Sequence, residues 1–168
     1  MKPGKIAQIL DQLAKQARDD DAAYRTAAEY ASDLTLTAYS VSCAVVCSER
    51  ADELEDISIL YRTGRRPFRQ YCFAPVARAW AWLATCWRER NDFEIIDACK
   101  RREDASFNAY QQALRMPISG NLRMVLQYHV AAIKRRQMGF RHLHHELDRL
   151  RVHKRMPVIA QDLRVSRT

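Results

Sequence analysis

Apolar residues recur at spacings of three and four along almost the whole chain, the period of an amphipathic helix. In the first segment, about residues 5–32, the stripe runs Ile6, Ile9/Leu10, Leu13, Ala17, Tyr24, Ala27/Ala28, Ala31. The second, about 34–62, carries Leu36, Tyr39, Cys43, Val46/Cys47, Leu54, Ile57 and Leu60/Tyr61. Its opening "LTLTAYSVSCAVV" is β-branched and alternating, which locally suits a strand. The helical period continues into the strong helix formers of "CSERADELEDISILY", so the whole is read as helix. "RTGRRPF" is a break, with Gly64 suited to a helix end and Pro67 blocking continuation. A third helix is expected over about 74–115, starting near Pro75 and kinked or broken near 88–92, where Asn91 or Asp92 can cap a restart. After the loop "RMPISGN", a fourth helix is expected over about 120–155. Its stripe is Leu122, Val125/Leu126, His129, Ile133, Arg136/Gln137, Phe140, Leu143, Leu147 and Leu150. Pro157 is expected to end it, leaving 156–168 as a loose tail.

Four amphipathic helices in one domain, residues 1–155, predict an all-α four-helix bundle. Composition agrees. Four Gly and five Pro in 168 residues are too few for an all-β fold with its frequent turns.

Each stripe carries one polar residue near its middle: Asp20 or Asp21, Arg50, Glu103, and His129 followed by Arg136/Gln137. Together these predict a buried polar layer of Asp20, Asp21, Arg50, Glu103, His129 and Gln137. A buried carboxylate needs a partner, and Arg50 or His129 is expected to supply one to Glu103. Carboxylates in such a core also raise a di-iron site, which needs Glu-x-x-His on two helices. Neither Glu49 nor Glu146 has His three residues on, and Arg50 in the layer opposes a divalent cation. No cofactor is therefore expected. The alternative is an iron or manganese site using Glu103, His129, Asp21, Asp56 and Glu29.

Charge adds a third possibility. The net charge is +8. Residues 1–60 hold six basic and eleven acidic residues, a balance of −5, and residues 61–168 hold 22 and nine, a balance of +13. Basic runs at 100–102, 134–136 and 149–155 raise nucleic-acid binding, but they are scattered and no helix-turn-helix spacing accompanies them. His142, His145 and Glu146 share a helix face and are read as a surface cluster capable of adventitious metal binding. Trp80, Trp82 and Trp87 cannot all face one stripe, so an interaction surface is expected there, with a homo-oligomer or a protein partner. Five scattered Cys without Cys-x-x-Cys fit reduced thiols in the cytoplasm. No signal peptide or membrane span is expected. No phosphate loop, nucleophile elbow, dinucleotide fingerprint or His-Glu-x-x-His is present, so no enzyme is expected.

Several stretches resemble the bacterial ferritin-like four-helix-bundle family classed as a domain of unknown function. In "NDFEIIDACKRREDASFNAYQQAL" the resemblance rests on Asn91-Asp92, Ile95-Ile96, Glu103-Asp104-Ala105 and Asn108-Ala109-Tyr110. "DDDAAYRTAAEY" resembles the first family helix, "SERADELEDI" the second through Arg50-Ala51 and Asp56, and "ARAWAWL" the third through Arg78 and Trp80. The resemblance spans about Ile6 to Arg151. Two departures stand out: Gln137 follows "IKRR" where the family often has His, and Ala22 precedes the aligned Ala-Tyr-Arg where a Glu is frequent. The resemblance implies the fold. It also implies, by analogy with relatives that store iron, reduce oxygen species or protect under stress, a stress-associated or protein-interaction module with a degenerate metal site.

Overall fold

The computed structural model describes residues 2–64 and 91–165, with side chains through Val152. Among the described residues the chain is all-helical, with four helices and no strand, the arrangement of a four-helix bundle. The helices are α1 (Pro3–Tyr30), α2 (Leu34–Thr63), α3 (Asp92–Leu114) and α4 (Gly120–Val165).

Local chemistry explains the helix ends. Pro3 opens α1, where its missing N–H has no partner to lose. Asp33 caps α2 by accepting from the Leu36 amide at 2.8 Å. Gly64 closes α2 at φ 64°, a left-handed position that favours glycine. Asn91 and Glu94 form a reciprocal capping box at the start of α3. Ser119 caps α4 by accepting from the Leu122 amide. The Asp92 carboxylate also accepts from the Ser32 amide at 2.8 Å, tying the first loop to α3.

The β-branched opening of α2 is helical, because its Leu36, Cys43 and Cys47 fall on the buried side of a helix. Helical backbone in α4 runs to Val165, past the end expected near Arg155 and through Pro157. A proline there removes one backbone hydrogen bond from a helix but does not oblige it to stop. The expected helix start near Ala74, the break before Asn91 and the surface formed by Trp80, Trp82 and Trp87 lie outside the described residues.

α1 and α2 pack as one hairpin and α3 and α4 as another, with α1 against α3. α2 and α4 pack more loosely than the α1–α2, α3–α4 and α1–α3 pairs, and a cleft runs along that side of the bundle. The core has two apolar ends. One gathers Tyr24, Leu36, Cys43, Cys47, Ile96 and Phe140. The other gathers Leu10, Leu13, Leu54, Tyr110, Leu126 and Ile133. Between them lies a layer of buried polar side chains. No described helix is long and apolar enough to cross a membrane.

Candidate functional site

The buried polar layer draws one or more residues from every helix. α1 supplies Asp20 and Tyr24, α2 Arg50, α3 Glu103 and Ser106, and α4 His129 and Arg136. All of them lie on the apolar stripes at helical spacing, so the folding of the stripes carries them inward.

Asp20 is 1% exposed. Its Oδ1 accepts from Gln16 and from Arg102 Nε, each at 3.2 Å. Its Oδ2 accepts from Ser106 Oγ at 2.5 Å and from Arg50 Nη2 at 3.4 Å. Glu103 is fully buried. Its Oε1 accepts from Arg136 Nε at 2.6 Å and from the Tyr24 hydroxyl, and its Oε2 accepts from Arg136 Nη2 at 3.2 Å. This two-pronged pairing suits a planar guanidinium. Burial works against the charge on Arg136, and the adjacent Glu103 carboxylate outweighs it, so the guanidinium stays protonated. Burial, reinforced by Glu103, pushes the Tyr24 phenol well above its ordinary range and keeps it a donor.

The partners differ from those expected. Glu103 is held by Arg136, and Arg50 serves Asp20 while its guanidinium lies over the Tyr110 ring at 5.5 Å. His129 bonds Glu53 through Nε2 at 2.8 Å and the Tyr110 hydroxyl through Nδ1 at 3.3 Å. Burial lowers the imidazole pKa below its ordinary value, against the opposing pull of Glu53. Asp21 and Gln137 stand outside the layer. Asp21 is half-buried and accepts from Arg25 at 2.7 Å, and Gln137 donates to Asp104 at 2.7 Å. One position along a helix turns a side chain by about 100°, which is why Asp20 and Arg136 face in and their neighbours do not.

The residues proposed for a metal do not converge. Glu103 and His129 are buried with different partners, Asp21 pairs with Arg25, Glu29 is exposed, and Asp56 lines an outer groove of α2. Among the described residues no group of three or more His, Cys, Asp and Glu side chains is placed to hold a metal ion. The donor chemistry points the same way: guanidinium N–H groups already occupy both buried carboxylates. The layer does not fit a di-iron or manganese centre. On the surface, His142 and Glu146 lie 3.7 Å apart, both exposed, while His145 stacks edge-on against His144.

Sequence reasoning did not single out Arg102, Glu53 or Tyr24 as part of the layer. Tyr24 and Tyr110 were legible only as apolar stripe positions, and nothing in the pattern marks their hydroxyls as partners. Arg102 and Glu53 sit beside the stripes and reach the layer through long side chains.

The family model for a domain of unknown function, DUF2383, matches residues 5–116. The chain belongs to that family. No curated protein matches the chain. The DUF2383 match takes in α1, α2 and α3, and with them Asp20, Arg50 and Glu103. It ends before α4, which carries Arg136 and His129.

On the open side of the bundle, α2 and α4 border a cleft of about 670 Å³. Arg50, His129 and Arg136 reach it from the layer, Val46 and Ala132 form its apolar walls, and Tyr128 stands beside them.

Proposed function

We infer that this DUF2383 member is a cytoplasmic, non-enzymatic ferritin-like bundle. It works as a self-associating, stress-associated interaction module whose polar core is a degenerate metal layer neutralised by arginine. The observation that carries this reading is the pairing of both buried carboxylates with guanidinium: Asp20 with Arg50 and Arg102, Glu103 with Arg136. A carboxylate that holds a metal must offer it lone pairs, and a guanidinium bonded to the same oxygens competes for them. Here buried cations supply the charge that metals would supply in a working ferritin-like centre. Exposed apolar side chains on α2 (Val41, Val45) and on α4 (Met124, Tyr128, Met138) support the interaction role.

The test is elemental analysis of protein purified without a histidine tag, after incubation with ferrous and manganous salts and gel filtration. Metal far below one equivalent per chain is the expected result. One or two equivalents retained would overturn the reading. Light scattering of the same sample tests self-association, and a strict monomer would remove that part.

A further inference from the structure

The polar layer holds more donors than its acceptors use. Three guanidiniums, Arg50, Arg102 and Arg136, serve two carboxylates, Asp20 and Glu103. His129 adds no negative charge. The surplus is visible atom by atom: Nε and Nη1 of Arg50 and Nη1 of Arg136 are buried without a protein partner. Arg50 is 4% exposed and Arg136 is 6% exposed, so both sit among atoms that cannot hydrate them freely. Buried guanidinium N–H groups without an acceptor are costly, and each such group in a folded protein calls for an explanation.

Both arginines also line the same cleft, between α2 and α4. Its size matches sites that enclose small organic molecules. Val46, Ala132 and Tyr128 give it apolar and aromatic walls, and Glu49 and Glu53 stand at its border. A cationic floor asks for an anion. Arg135 adds a third guanidinium to the lining, and Glu49 and Glu53 offset two of the three, so a single positive charge remains and a monoanion is favoured over a dianion such as phosphate or sulfate. The apolar walls favour a ligand with a hydrocarbon or aromatic body.

We propose that the α2–α4 cleft is a binding site for a small organic monocarboxylate. Its carboxylate takes the free N–H groups of Arg50 and Arg136, which have almost no exposed surface and are reached as the two side chains turn toward the cleft, and its apolar body lies against Val46, Ala132 and Tyr128. The site stands independently of the metal-free reading of the core. Retained metal would overturn that reading without touching the cleft, and failure of anion binding would leave the metal analysis as it was.

The test uses the full chain with arginine side chains labelled with ¹⁵N, titrated with benzoate, acetate and sulfate at constant ionic strength. Arg50 Nε–H is an unused donor, whereas Arg136 Nε–H is already given to Glu103. Benzoate should therefore move the Arg50 Nε–H resonance saturably, and the Arg136 Nε–H resonance less. Acetate should do the same with affinity weaker by about tenfold, for want of the ring's buried area. Sulfate should produce no saturable shift. The variant Ala132→Phe, which fills the cleft from a half-buried wall position, should abolish the benzoate effect while keeping helical circular dichroism. Should that variant not fold, Val46→Phe from the opposite wall replaces it. An Arg50 resonance that never moves would overturn the proposal. So would equal shifts with sulfate, or an undiminished benzoate effect in the filled variant.

Discussion

Glu103 shows how much depends on a single partner. It is completely buried and accepts three hydrogen bonds, two of them from Arg136. Replacing it with leucine strands a buried guanidinium, which costs about 3–5 kcal/mol. Replacing Arg136 with leucine strands the carboxylate at a similar cost. The double variant removes both charges, so its loss should fall short of the sum by about 2 kcal/mol. Urea denaturation of the two singles and the double checks this, and simple additivity would rule the pair out. The same cycle between Glu103 and Arg50 should come close to additive by comparison, because Arg50 bonds Asp20 instead.

His129 adds a pH dependence of predictable sign. Its folded pKa lies below the ordinary 6.5, because burial disfavours the imidazolium. As pH falls below about 6.5, the unfolded chain therefore binds a proton that the folded chain resists, and stability declines. The contribution is fully present above that value. His129→Gln should flatten this part of the profile, measured as the difference in unfolding free energy between about pH 7.5 and about pH 5. An unchanged slope would show that His129 does not titrate as described. The polar stripe positions 50, 103 and 129 were legible from helical spacing alone. Their pairings were not, because hydrogen-bond partners are set by which helices face each other and by how far each side chain reaches.

At the scale of the helices, periodicity was decisive where propensity misled. The opening of α2 has strand-like composition yet folds as helix, since that places Leu36, Cys43 and Cys47 in the core together. A closer constraint operates between α2 and α4. A Cβ added at Gly139 would stand 1.9 Å from the Tyr39 hydroxyl oxygen. Tyr39 uses that hydroxyl to donate to the Arg136 carbonyl at 3.2 Å, and its ring meets Phe140 edge-on at 4.9 Å. Gly139 in mid-helix thus allows a close local approach between two helices that otherwise pack loosely. Gly139→Ala should destabilise by about 1–3 kcal/mol through overpacking. In a Tyr39→Ala background the sign should reverse, with a gain of up to about 1 kcal/mol from helix propensity. Thermal melts of the four proteins decide it, and a loss that persists without the tyrosine ring would refute the steric account. Nothing in the sequence pairs Gly139 with Tyr39, which lie on different helices.

Across the whole molecule, the helices differ in length. α4 has 46 residues, about 69 Å, against 28 residues and about 42 Å for α1. Among the described side chains of α4, Leu143 is the last buried apolar one and Leu147 the last partly buried one, while Leu150 and Val152 are exposed. A chain ending at Val152 should therefore keep its melting temperature within about 3 °C of the full chain. A larger drop would mean that the rest of α4 packs on the bundle. The acidic first third and basic remainder, −5 and +13, are brought side by side by the fold, as in the bridge from Arg102 to Asp20 and the bond between His129 and Glu53.

Helix type, approximate boundaries, the apolar stripes and the presence of polar residues within them follow from local order along the chain, because a helix repeats every 3.6 residues whatever it packs against. Four such stripes, with few glycines and prolines between them, already lead to an all-helical bundle. The assignment of Arg136 to Glu103, of Arg50 to Asp20 and of His129 to Glu53 waited on the packed arrangement. So did the cleft between α2 and α4. These depend on helix rotation, crossing and side-chain reach across distances in sequence of 30 residues or more. Buried charges select their partners by desolvation and geometry in three dimensions, and a one-dimensional pattern carries no record of that choice.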